Sequence, residues 1–320
     1  KALLPNPIQF LHTGLMENIT LENCLRQLVE HGTLSADQWP AGEHTPEELG
    51  LERNGDSIQW HQAPDLLDQQ KLDASIEGVH AETYHVIDST NSELLRRAER
   101  ESINHHVVLA EFQYGGRGRR GRTWLSPYGR NLSMSLGMAT DNEMSKLGGL
   151  SVVVGIALAS ELQELGVDAV ALKWPNDVLV DDKKICGILV ELVQREKQVE
   201  YVVGVGVNVA LTDEEILQIG QPVTDLARHG VSLSRTTLVI HMINSLRRHL
   251  AHFEQQGFAP FVQAFNTIHK FHEQPCRLIL PKQTIVGKAV GIGQNGELLL
   301  ETGSGIEAFH GGEVSLRGLD

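Results

Sequence analysis

Cysteine, aromatic side chains and positive charge are all scarce in this 320-residue chain. Its three cysteines, Cys24, Cys186 and Cys276, are too few and too scattered for a disulfide framework or a zinc site. The fifteen histidines do not make good that lack, because none falls in an H-E-x-x-H pattern or beside cysteines at ligand spacing. No metal held by protein side chains is therefore expected. No uninterrupted apolar run reaches the roughly 18 residues of a membrane-spanning helix, and no signal-peptide pattern opens the chain. A cytoplasmic protein with no membrane partner is the expectation. A chain beginning at Lys1 rather than Met is expected to have lost or been trimmed of its first residue. Lys and Arg number 27 against 41 Asp and Glu, and the resulting formal net charge of -14 argues against general nucleic-acid binding. Repeats and low-complexity tracts are lacking too. The composition, 41% hydrophobic and 21% charged, is that of an ordinary globular protein long enough for two or three domains.

Against this acidic background one stretch is densely basic: Gly115-Gly116-Arg117-Gly118-Arg119-Arg120-Gly121-Arg122-Thr123-Trp124. Glycines between guanidinium groups let the backbone fold closely around an anion with its N–H groups exposed. A polyphosphate or adenylate under this loop is the best local explanation. Gly116, Gly118 and Gly121 also satisfy G-x-G-x-x-G, but Pro127 and Gly129 follow where a dinucleotide fold needs a helix. One short basic run is thin support for a nucleic-acid patch. A plain solvated turn does not account for Trp124, an aromatic in want of a surface to stack on.

Read in order, residues 1–65 form a separate module, with helical patterning over Ile8 to Leu15 and over Thr20 to Val29, where Leu21, Cys24, Leu25 and Leu28 share a face. Residues 66–81 read as a linker. Tyr84 to Ile87 reads as a strand, Asp88-Ser89-Thr90-Asn91 as caps, and Ser92 to Ala98 as a helix. Strands follow at Val107 to Gln113 and Asn131 to Met138, then a buried helix carrying Leu147, Leu150, Val154, Leu158, Leu162 and Leu165. Val170 to Trp174, Ile185 to Val193 and Tyr201 to Val209 are further strands, and Leu238 to Phe253 and Phe258 to His269 are helices. From Gln274 the pattern becomes short alternating strands with an Asn295-Gly296 hairpin signal, read as a small barrel.

Ser89-Thr90-Asn91, the arginine loop with Trp124, Lys173-Trp-Pro-Asn-Asp177, Lys184-Ile-Cys-Gly-Ile-Leu-Val-Glu191, Gly204-Val-Gly-Val-Asn208 and the final Gly311-Gly-Glu-Val-Ser-Leu-Arg317 occur in the order and spacing of biotin protein ligases. The chain resembles the long bacterial type that doubles as a biotin operon repressor, over roughly residues 82–320. Lipoate ligases share the fold but are not expected to combine this arginine loop with Lys-Trp-Pro-Asn-Asp. The resemblance implies an α+β protein: a degenerate winged-helix-like module at 1–65, and a class II synthetase-like, lipoate-ligase-like α/β domain with a mixed sheet at 82–272. An SH3-like C-terminal β-barrel would occupy 273–320.

It further implies joining of biotin to ATP as biotinyl-5′-AMP, then transfer to one lysine of a biotin carboxyl carrier protein, by a homodimer. Ser89, Thr90, Asn91, Gln113, Arg117, Gly118, Arg119 and Lys184 would hold biotin. Gly116, Arg117, Arg119, Arg122, Trp124, Asn176 and Asn208 would hold ATP or the adenylate. Lys184 and Arg119 would stabilise charge in the reaction, Asp177 would orient the acceptor lysine, and Mg²⁺ would arrive on the phosphates. Helix capping explains one of Ser89, Thr90 and Asn91, not all three, and an Asx turn is the competing role for Asp177.

One part of the family pattern is missing. Residues 1–65 carry Lys1, Arg26 and Arg53 against ten acidic residues, and 32–52 contain no Lys or Arg at all. Pro40, Gly42 and Pro46 interrupt the expected recognition helix, and Gly55 to Trp60 keeps only the outline of a wing. DNA binding is expected to be lost or weakened. The alternatives are a ligase that remains a repressor, and a ligase for another acyl acid such as lipoate.

Overall fold

The computed structural model describes residues 20–40, 44–60, 63–195, 198–312 and 314–319. The chain divides into two compact units, Lys1–Ala63 and Pro64–Asp320. The helical patterning over Ile8 to Leu15 lies outside the described residues.

In the first unit α1 (Leu21–His31) starts where the Thr20 side chain accepts Asn23 N–H and stops at Gly32, whose φ of 77° few other residues adopt. Its buried face is Leu21, Cys24, Leu25 and Leu28, the face expected from the sequence. The strands β1 (Thr33–Ser35), β2 (Leu51–Asn54) and β3 (Ser57–Trp60) form an antiparallel sheet in the order β1-β3-β2. Gly55–Trp60 falls in a hairpin in which β2 and β3 pair from Leu51↔Trp60 to Asn54↔Ser57. The described residues between β1 and β2 include two 3₁₀ turns, Ala36–Gln38 and Glu47–Leu49.

The second unit begins earlier than expected. Within residues 66–81, read as a linker, α2 (Gln69–Ser75) is capped by Asp68 and packs Leu72 and Ile76 into the core. Seven strands make the central sheet: β4 (His80–Ile87), β5 (His106–Gln113), β6 (Asn131–Thr140), β7 (Val170–Lys173), β8 (Asp177–Val180), β9 (Lys183–Gln194) and β10 (Val199–Asn208). Their order is β4-β5-β6-β10-β9-β8-β7, with β4 and β5 parallel and every other pair antiparallel. The short β8 was not read from sequence, because its four residues lie between two turn signals. It returns through Asp181 and Asp182, both at positive φ as a tight hairpin turn requires.

Helix α3 (Thr90–Ala98) covers one face of this sheet with a small cluster of Leu94, Ala98, Ile103, Val108, Ala110 and Val202. The opposite face carries α4 (Leu150–Glu164), α6 (Arg235–Gln256) and α7 (Phe261–Ile268) over the main core, while α5 (Asp213–Ile219) lies outside it. By length and composition Met144–Glu164 could cross a membrane. Its packing against the sheet and α6 makes it instead the central core helix, which explains its being apolar all round. The last five strands, β11 (Gln274–Ile279), β12 (Thr284–Ile292), β13 (Leu298–Thr302), β14 (Gly305–Phe309) and β15 (Ser315–Gly318), pair antiparallel as β14-β13-β12-β11-β15. The barrel expected here is thus an open sheet among the described residues, since β14 and β15 do not pair with each other. The sheet is tied to the central unit by Trp174, whose indole N–H donates to Gly296 O at 3.0 Å.

His269, just after α7, is 6% exposed, lies 4.8 Å from the Phe265 ring, and is pushed down to about 3 by burial and by nearby His272. The folded protein therefore holds it neutral, while the unfolded chain takes up a proton near its ordinary value of 6.5. Its contribution to stability is complete above pH 6.5 and is lost as pH falls toward 3, by about 1.4 kcal/mol for each unit well inside that window. Urea unfolding of His269→Phe at pH 7 and pH 5 should show a correspondingly shallower pH dependence than the parent; an unchanged slope would refute it.

Candidate active site

Strand alternation prepares the α3 face of the sheet. On β6 and β10, Leu132, Met134 and Leu136 and Tyr201, Val203, Val205 and Val207 point into the main core. The residues between them therefore point the other way, and there the sequence is small or polar: Ser133, Ser135, Gly204, Gly206. Register lines these up across three strands. Ser135, Gly204 and Leu189 form one row and Ser133, Gly206 and Gly187 the next.

Each row seats one side chain. Asn91, at the start of α3, lies over Gly204, where a Cβ would come within 2.2 Å of its Oδ1. Ser135 Oγ–H donates to that Oδ1 at 2.5 Å, and Asn91 Nδ2–H donates to Leu189 O at 3.2 Å and to Glu191 Oε2 at 2.8 Å. Trp124 lies over Gly206 and Gly187, where a Cβ would meet its ring at 2.3 and 2.9 Å. Between the seats opens a cavity, part of it facing solvent. Ser89, Thr90, Asn91, Gln113, Arg117, Gly118, Arg119, Trp124, Asn176 and Lys184 all line it, so the structure brings these expected residues together.

Their roles differ in detail. Ser89 is the helix cap, accepting Ser92 N–H at 3.4 Å. Thr90 turns inward, its N–H donating to Gln113 Oε1 at 2.8 Å and its hydroxyl lying 2.7 Å from Ser135 Oγ. The arginine loop is a small hairpin. Gly118 N–H donates to Arg122 O at 2.7 Å and Trp124 N–H to Gly116 O at 2.9 Å, and the tip turns through Arg120 and Gly121 at positive φ. Those two N–H groups are therefore engaged within the loop, which also presents its guanidinium side chains. Gly116 is needed for close approach, since a Cβ there would lie 2.4 Å from Trp124 O.

Arg119 donates to Asn176 Oδ1 at 2.6 Å and to Gly312 O, and burial pulls its pKa down without depriving the guanidinium of its charge. Asn176 in turn donates to Ile188 O at 3.0 Å. Asp177 pairs with Lys184 at 2.7 Å and Lys173 at 3.6 Å. Burial pushes its carboxyl up, but Lys184 and Lys173 outweigh that and hold it below the usual range. Lys184 also stands 5.6 Å from the centre of the Trp124 ring.

An adjoining cavity, lined by Arg122, Trp124, Lys184, Asn208 and Arg317, continues outward. Asn208, expected on the nucleotide, directs its amide N–H groups to Lys184 O at 3.3 Å and Thr224 O at 3.0 Å, so it positions the Lys184 backbone. A third hollow, containing Arg119, Lys173, Asp177, Lys184 and Arg317, is rich in cations. The arrangement offers a polar floor, an aromatic wall and a cationic exit, which suits a neutral hydrogen-bonding head joined to an anion. Among the described residues no cluster of His, Cys, Asp or Glu could hold a metal ion. Sequence reasoning missed Ser135, Glu191 and Arg317 as site residues. The last two stood in the quoted motifs without a role, and Ser135 had no local signal.

A family model described as the biotin/lipoate A/B protein ligase family matches residues 83–208, and one for the biotin protein ligase C-terminal domain matches 271–317. The chain is 39% identical over 253 residues to the bifunctional ligase/repressor BirA of Escherichia coli, covering 79% of this chain and 78% of that protein. It is 32% identical over 237 residues to the biotin--[acetyl-CoA-carboxylase] ligase of Paracoccus denitrificans, 72% of this chain and 98% of that one. A biotin protein ligase from Aquifex aeolicus, solved with biotin and ATP, superposes with a TM-score of 0.65 at 28% identity, over 75% of this chain and 99% of its own.

Proposed function

The chain belongs to the biotin protein ligase family, and on that premise we propose how its pocket activates biotin with ATP and passes it to a lysine of a biotin carboxyl carrier protein. In the first step a biotin carboxylate oxygen bonds to the α-phosphorus of ATP while the bond to the β-phosphate oxygen breaks, giving biotinyl-5′-AMP and pyrophosphate. In the second the acceptor lysine nitrogen bonds to the acyl carbon, AMP leaves, and the amine gives up a proton. The observation that carries the reading is the paired seating of Asn91 and Trp124 on either side of one cavity, with Lys184 and Arg119 at its lining. In this reading the floor of Thr90, Asn91 and Gln113 meets the ureido head and Trp124 walls the adenine. Lys184 and Arg119 offset the repulsion between carboxylate and α-phosphate where charge develops. Asp177, held by two lysines, is suited to receive a third ammonium group.

The nearby carboxylates, Asp177 and Glu191, are both engaged by cations and form no open oxygen cage. Mg²⁺ would enter on the nucleotide, held by phosphate oxygens and lowering their charge. The purified protein should release pyrophosphate from ATP only with biotin present, and not with lipoate. Release that is absent with biotin, or equal with lipoate, would overturn the reading.

The same reading leaves the repressor role out. Residues 32–52 carry no Lys or Arg, and their described part forms strands and 3₁₀ turns where a recognition helix would lie. Fluorescence anisotropy at low salt, with biotin and ATP present and the biotin operon control region as probe, should detect no sequence-specific complex. Tight, specific binding would restore the bifunctional alternative.

A further inference from the structure

Glu191 sits on β9 one row beyond Leu189, opposite Val202 of β10. Its single carboxylate engages two parts of the pocket at once. Oε1 accepts Arg117 Nη1–H at 3.2 Å, and Oε2 accepts both Arg117 Nη2–H and Asn91 Nδ2–H at 2.8 Å. Asn91 belongs to the floor, seated over Gly204; Arg117 is the first arginine of the loop that covers it and is bridged to Thr123 in the loop's other arm. The ion pair is 41% and 26% exposed at its two side chains, so solvent screening leaves it little to contribute to the stability of the fold. What it contributes is geometry. A bidentate pair fixes the plane of the guanidinium, and the third hydrogen bond ties that plane to the floor.

We propose, resting on the ligase reading above, that Glu191 is a positioning residue that latches the arginine loop to the pocket floor and so keeps biotin and its adenylate enclosed. The loop's attachment at its base consists of the backbone bonds Gly115 N–H to Asp88 O and Tyr114 N–H to Ile87 O, both before Arg117. Past that point Glu191 ties the first arm to the sheet. To open, the loop must lift Arg117 off Glu191; to close, it must find a carboxylate already oriented by Asn91. A neutral amide at position 191 keeps one acceptor and loses the charge and the second acceptor, which loosens loop and floor together.

The test uses Glu191→Gln, Arg117→Met and the double variant of the full-length protein. With saturating ATP and Mg²⁺, Glu191→Gln is expected to raise KM for biotin about tenfold, the factor set by losing a charge-assisted hydrogen bond, while kcat stays within about twofold. In the Arg117→Met background the same change should alter KM by less than about threefold, because the partner is already gone. Without any ligand, tryptic cleavage between Arg117 and Arg122 should be about tenfold faster in Glu191→Gln than in the parent, with the thermal unfolding midpoint unchanged. The latch is overturned if cleavage and KM match the parent, or if the full tenfold persists in the Arg117→Met background. The cleavage measurement needs neither biotin nor ATP, so a parent protein silent in the pyrophosphate assay would count against the ligase reading and not against the latch.

Discussion

Lys184→Met is expected to slow biotin-dependent pyrophosphate release about a thousandfold at saturating biotin and ATP. Lys184 lies where the polar cavity meets the cationic hollow, its backbone clamped by Pro222 O, Thr224 N–H and Asn208 and its ammonium held at 2.7 Å by Asp177. Such clamping means the charge need not be reorganised when the α-phosphate becomes more negative in the transition state. That is the condition under which a single cation is worth most. Biotin binding without nucleotide should weaken much less, by about tenfold at most, since only one charge-assisted contact is lost. The substitution also removes the nearer of the two lysines paired with the Asp177 carboxylate, so charge imbalance is a rival explanation for lost activity. Lys184→Met combined with Asp177→Asn removes that imbalance, and the rate should stay low. Recovery to within tenfold of the parent would show that Lys184 serves to neutralise Asp177 and does not act on the phosphate.

Gly204→Ala and Gly206→Ala should fail in different ways although they stand two residues apart on one strand. An alanine Cβ at 204 would lie 2.2 Å from Asn91 Oδ1, a contact that no rotamer of a seated Asn91 relieves without breaking its bonds to Ser135 and Glu191. Overpacking of this kind costs about 1–3 kcal/mol, and the displaced floor should raise KM for biotin about a hundredfold. At 206 the Cβ would lie 2.3 Å from Trp124 Cε2, so the aromatic wall must tilt away and KM for ATP should rise instead, by a similar factor. Steady-state titration of each substrate against each variant separates the two. Equal effects on both substrates from both alanines would mean that the cavity is not divided between Asn91 and Trp124 in this way.

The legible parts of this site were those whose chemistry is local in sequence. Arg117, Arg119 and Arg122 announce an anion by density alone, Ser89-Thr90-Asn91 exceeds what a helix cap needs, and Gln113 ends a strand just before the loop. Ser135 was illegible because a serine inside an apolar strand gains meaning only when register puts it beside Asn91, 44 positions earlier. Glu191 and Asn208 likewise act through partners distant in the chain. Among the fold elements, α5 was missed although Thr212 and Glu215 form a complete capping box that could have revealed it. Strands β8 and β15 were missed because each is short and lies directly between turn signals, Pro175-Asn176 and Asp181-Asp182 for β8 and Gly311-Gly312 and Gly318 for β15. The supposed linker failed for another reason: a helix of seven residues is stabilised by burying Leu72 and not by its own periodicity.

The two seats are made of residues from β6, β10 and β9 aligned across the sheet, so the site exists in only one register of β10. A slip of β10 by one position would bring Val203 and Val205 to the face that now presents Gly204 and Gly206. Branched side chains would then occupy both seats at once, expelling Asn91 and Trp124 and leaving the face under α3 unable to close. A misaligned sheet therefore cannot persist as a compact, inactive look-alike. The same glycines that make room for a ligand make that wrong pairing sterically costly.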